Sequence, residues 1–92
     1  MNAVTASPPL PVGATSCSEF DVEDGARSVT ADIAGSKAVQ VWAEQDLDGR
    51  LTAIGILFDQ RESEEGYSAA QVRQLVPVLL EAADLADQWE TR

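Results

Sequence analysis

The chain contains no histidine, a single cysteine, and only six basic residues against sixteen acidic ones. The missing histidine removes the usual general base, the commonest transition-metal ligand and every Ser-His or Cys-His nucleophile pair. Cys17 is alone, so it can form neither an intramolecular disulfide nor a cysteine-rich zinc site, and no basic neighbour is placed to activate it. It reads as an incidental thiol. The scarcity of Lys and Arg leaves a net charge of −10, which argues against direct binding to nucleic acid, because displacing counterions from phosphates requires positive charge. No apolar run approaches the length of a membrane span, and the first residues show neither a basic leader nor a continuous apolar core. No membrane contact is expected, and the expected compartment is the cytoplasm.

Carboxylates are abundant, and the question is whether any of them converge. Asp46-x-Asp48-Gly49 resembles part of a calcium loop, but such a loop needs a bidentate Glu at its twelfth position. Counted from Asp46, that position is Leu57. A hairpin turn explains the fragment better. The runs Asp21-Val22-Glu23-Asp24 and Glu62-Ser63-Glu64-Glu65 read as solvated loops, the second also placing negative charge ahead of a helix, where its dipole favours it. The glycines are scattered and form no phosphate loop. No catalytic residue, cofactor or metal site is indicated.

Residues 1–18 carry no charge, three of the four prolines and no periodicity, the composition of a disordered tail. Residues 19–92 are expected to form one small α+β domain: a three-stranded antiparallel sheet (28–34, 37–45, 51–58) covered on one face by a C-terminal helix (69–90). Residues 37–45 alternate with period two, residues 51–58 are apolar almost throughout, and Asp48-Gly49 between them suits a type I′ turn. With that tip, Ala43 faces Ile54, Val41 faces Ile56 and Val39 faces Phe58, so the apolar pairs share one face. On the other face Trp42 stands opposite Gly55. Its ring could shield the bare glycine backbone, or it could join Leu51 and Leu57 in a contact patch. For strand 28–34, a three-residue loop through Lys37 places Val29, Ala31 and Ile33 with Val39 and Val41, and one helix can cover only one face. A two-residue turn at Gly35-Ser36 would place them with Trp42 instead.

Ser68 and Gln71 form a capping-box pair that starts the helix. At about 100° per residue, Val72, Leu75, Val76, Leu79 and Ala83 make one stripe, expected to cover the sheet. Val78, Leu85 and Trp89 widen the apolar arc beyond what one sheet face needs. Pro77 falls on the polar side, where water can solvate the carbonyl it frees. One kinked helix is expected there, the alternative being a break near Val76.

The run Ala70-Gln71-Val72-Arg73-Gln74-Leu75, followed by Leu79-Leu80-Glu81-Ala82-Ala83-Asp84-Leu85-Ala86-Asp87 after a short sheet, resembles the C-terminal helix of a family of small acidic proteins of unknown function from high-GC Gram-positive bacteria and their phages. The likeness covers the last quarter of the chain, with a weaker echo around Cys17 to Val29. In that family the upstream region often carries Cys and His residues that look like metal ligands, and Cys17 matches one such position. With no histidine present, the metal reading does not carry over.

The expectation for function is therefore a non-enzymatic acidic interaction protein. It would form a homodimer through Val78, Leu85 and Trp89, with Trp42 and Leu57 as further contact candidates, and would bind a basic protein partner, for example as an inhibitor or regulator that imitates nucleic acid. The alternative is a small carboxylate-dependent enzyme or ligand-binding subunit that uses an external cation.

Overall fold

Four strands form an antiparallel meander in the order β1-β2-β3-β4: β1 (Ser16–Cys17), β2 (Ala26–Ile33), β3 (Ser36–Asp46) and β4 (Leu51–Phe58), followed by one helix, α1 (Ala69–Glu90). The computed structural model describes residues 7–58 and 66–91. The sheet thus has one strand more than the three expected, and β2 and β3 begin earlier, at Ala26 and Ser36. The added strand comes from the segment expected to be tail: Ser16 pairs with Thr30 and Cys17 with Val29. A two-residue strand without apolar alternation leaves no periodic signal to find.

Alternation decides which face is buried. Val29, Ala31 and Ile33 of β2 and Val39, Val41 and Ala43 of β3 are all buried on one face, where Val29 stands opposite Ala43 and Ala31 opposite Val41. This is the expected face, reached by a different connection. The turn has two residues, Ala34 and Gly35, both at positive φ (55° and 70°), as a type I′ turn requires. A register shift between Asp32 and Ile33 then restores the common face.

The β3–β4 hairpin shows the same compensation. Its loop has three residues, Leu47 to Gly49, not two: the Asp46 amide donates to the Arg50 carbonyl, the Gly49 amide donates to Asp46, and Gly49 has φ 90°. Glu44 consequently faces Thr52, where a two-residue tip at Asp48-Gly49 would set it opposite Ala53. A bulge at Ala53, whose φ is 54°, takes up the extra residue. From there outward Trp42 faces Gly55, Val41 faces Ile56 and Val39 faces Phe58, as the sequence indicates. The Phe58 side chain lies outside the described atoms, and so do residues 59–65, including the expected charge run 62–65.

The helix begins where the capping box places it. The Gln71 amide donates to Ser68 Oγ at 3.1 Å, and the Ser68 amide donates to Gln71 Oε1 at 2.8 Å. It runs unbroken through Pro77, which is exposed, so the freed carbonyl of Arg73 meets water. Its azimuth differs from the expected one. Ala82 and Trp89 are fully buried, and Leu75, Val78, Leu79, Leu85 and Ala86 pack against the core, while Val72 and Val76 are each 47% exposed. The helix is turned about 80° around its axis from the expected stripe, at about 100° per residue. The core-facing positions 75, 78, 82, 85 and 89 follow a heptad-like spacing.

Candidate interaction surfaces

Trp89, taken from sequence as spare apolar surface, is instead the largest side chain in the core, 1% exposed. Leu85 is packed under Gly13, where an added Cβ would lie 3.1 Å from Leu85 Cδ1. Val78 is also partly buried against the core. Of the residues expected to form a self-association surface, Trp89 is therefore internal and Val78 and Leu85 are partly buried.

What covers Leu85 and Trp89 is the segment expected to be disordered. Proline has no N–H and cannot join a sheet ladder, but its carbonyl still accepts. Side-chain donors exploit this along residues 8–12. Arg27 Nη2 donates to the Pro8 carbonyl at 2.8 Å, Gln45 Nε2 to Pro9 at 2.8 Å, and Trp89 Nε1 to Val12 at 2.7 Å. Pro11 is buried. Gln45 is itself 1% exposed, and its Oε1 accepts from Arg27 Nε at 2.8 Å. The Arg27 guanidinium lies over the Phe20 ring, 4.6 Å from its centroid. Residues 7–18 are thus a strap across the core, held by buried polar groups that need acceptors. Sequence reading missed it because carbonyl acceptors leave no pattern. The only available sign was Gln45, a polar residue in phase with Val39, Val41 and Ala43.

The outer face of the sheet is set by the same pairings. Thr30, Trp42 and Gly55 stand in one row, and Asp32, Gln40 and Leu57 in the next, with Gln40 Nε2 donating to Asp32 Oδ1 at 2.6 Å. Trp42 is half-buried and Leu57 is 47% exposed. The Trp42 ring does not lie over its glycine neighbour: a Cβ built on Gly55 meets nothing within 4 Å. The glycine-shielding expectation fails, and an open notch remains beside Trp42. Leu51 packs toward the core and leaves the expected contact patch.

Further exposed apolar side chains lie on another flank of the helix and on β4. Val72, Val76 and Leu80 are 47%, 47% and 62% exposed, and Ile56 of β4 is 40% exposed. Val76 and Leu85 are nine residues apart, so they project about 180° from each other. Leu85 shares a concavity with Gly13 and with Ile33 at the end of β2, so the opposite flank, bearing Val76, looks toward β4.

Among the described residues the acids are exposed apart from Asp32 and Asp46, which are half-buried. A shallow depression of about 440 Å³ at one end of the sheet is lined by Glu19, Asp21, Asp24 and Glu44, together with Phe20 and Arg27. Asp21 Oδ1 accepts from the amides of Glu23 and Asp24 at 2.8 and 3.1 Å, so that the acidic run closes its own turn. Asp46 Oδ1 similarly accepts from Asp48 and Arg50 at 3.0 and 2.8 Å, the hairpin role that the sequence favoured over calcium. Among the described residues no three Asp, Glu, Cys or His side chains are arranged to hold a metal ion. No helix among them is long and apolar enough to cross a membrane. Comparison of the chain with family models, with curated proteins and with solved structures gives no match, so these surfaces are read from their own chemistry.

Proposed function

We propose that the chain is a non-enzymatic, cytoplasmic interaction protein that associates with itself and presents an acidic surface to a basic protein partner, as an inhibitor or regulator imitating nucleic acid would. The observation that carries this reading is the depression lined by four acidic residues, Glu19, Asp21, Asp24 and Glu44, against a single basic one, Arg27, in a chain of net charge −10. Such a concavity suits a projecting Lys or Arg, whose charge meets the exposed carboxylates of Glu19, Asp24 and Glu44. Charge complementarity of this kind speeds and orients encounter more than it tightens the complex.

The reading is tested by passing a panel of basic nucleic-acid-binding proteins over the immobilised chain at low and at physiological salt. Retention that fades with salt and weakens in Asp24→Asn/Glu44→Gln supports it. A panel in which nothing is retained at low salt removes it. The carboxylate-dependent enzyme needs several acids converging in a cleft, and it has less to rest on: Asp46 is committed to its turn, while Asp59 and residues 62–65 lie outside the described residues.

A further inference from the structure

Three exposed apolar features meet at one strand. β4 is an edge of the sheet and, among the described residues, pairs with β3 alone. On its helix-facing side stands Ile56, with the Val72, Val76 and Leu80 flank of α1 turned the same way. On its outer side stand Leu57 and the open notch over Gly55. Edge strands in stable monomers are usually blunted by charge, proline or brevity. β4 has eight residues, no charged side chain and no proline.

The missing charge narrows the choice of occupant. A partner selected for its positive charge finds nothing to hold on β4 itself, and the acidic depression lies at Glu19, Asp21, Asp24 and Glu44. A second copy of the chain brings the same uncharged strand, so no like charges oppose one another along β4 itself. Antiparallel pairing of a strand with itself keeps apolar residues in phase only when residues of like orientation meet. A two-fold axis through Ile56 satisfies this and sets Leu57 of each copy opposite Gly55 of the other, as an isologous contact requires. At 40–62% exposure, the five apolar side chains, four on the helix side of β4 and Leu57 on its outer side, offer roughly 400 Å² per copy. Doubled, and with the strand edges added, this approaches the roughly 1,000–1,200 Å² at which specific interfaces begin.

We propose that β4 is the self-association surface: two copies pair antiparallel along it, Leu57 of each fills the notch over Gly55 of the other, and the Val72, Val76 and Leu80 flanks of the two helices meet above Ile56. This rests on the self-association in the reading above and replaces the residues first expected to mediate it.

The test is Gly55→Val, because the monomer has room for the added side chain and a β-branched residue suits a strand, whereas in the dimer it occupies the place of Leu57. Sedimentation at high micromolar concentration is expected to give a dimer for the native chain and for Val22→Glu, a position 98% exposed in the β1–β2 loop. Gly55→Val and Leu80→Glu are expected to be monomers whose melting temperature at low concentration is not reduced. Amides on the outer edge of β4 should exchange slowly in the dimer and fast in Gly55→Val. A native chain that is monomeric throughout overturns self-association together with this surface. A dimer that persists in Gly55→Val overturns the strand pairing alone. Neither result bears on the retention of basic partners, which is read separately.

Discussion

Trp89 Nε1 donates to the carbonyl of Val12 at 2.7 Å, across 77 residues of sequence, so the last turn of the helix and the N-terminal strap hold one another. The indole ring fills the core and its single donor fixes the strap, two roles that substitution can separate. Trp89→Phe keeps most of the apolar volume and removes the donor. Because Val12 is 51% exposed, its carbonyl can find water, and the loss should be about 1 kcal/mol. Trp89→Ala also removes the packing and should cost about 3–5 kcal/mol. Chemical denaturation of the two variants distinguishes these costs.

Gln45 should be more sensitive than its polar character suggests. It is buried and satisfies both Arg27 and Pro9. Gln45→Leu preserves size while leaving the Arg27 Nε donor and the Pro9 carbonyl without that partner. A loss of about 1–3 kcal/mol is expected for such orphaned groups. The strap should also loosen, so limited proteolysis should cut within residues 7–14 of the variant much faster than in the native chain.

The azimuth of the helix gives a paired prediction. Leu85 packs against the core and under Gly13, so Leu85→Ala should cost about 2 kcal/mol or more. Val72→Ala and Val76→Ala, at half-exposed positions, should be neutral or slightly stabilising, since alanine is the better helix former. Melting curves at low protein concentration read this without interference from self-association. Equal losses at Leu85 and Val76 would contradict the observed packing.

These residues also mark what was legible in the sequence. The helix bounds were, because Ser68 and Gln71 form a local device whose partners are three residues apart. The common face of Val29, Ala31, Val39 and Val41 was, because burial imposes period two on the strands. The helix azimuth was not: Val72, Val76 and Leu80 form as apolar a stripe as Leu75, Val78 and Leu85, and the choice between them is made by Trp89 docking against a strap that carries no periodic signal. Trp89 was counted as surplus for the same reason, since apolar surface that is spare on one azimuth is core on the other. Only Leu57 and Trp42, whose places follow from strand register alone, kept their positions on the outer face.

The hairpin corrections lead to the last prediction. Ala34 and Ala53 both hold positive φ, 55° and 54°, a region that costs a residue bearing a Cβ about 1–2 kcal/mol. At the β2–β3 turn, Asn is favoured in the first central position of a type I′ turn, so Ala34→Asn should raise stability by up to about 1 kcal/mol. At the β4 bulge, Ala53→Gly relieves the same strain but frees the unfolded chain, and the smaller gain there should be a few tenths of a kcal/mol. Ala53→Val should destabilise by more than Ala53→Gly stabilises, because a β-branched side chain tolerates this conformation least. If Ala53→Val instead leaves the melting temperature unchanged, the bulge is not at Ala53. The three-residue turn and the register of Trp42 with Gly55 would then have to be reconciled by an irregularity elsewhere in the hairpin.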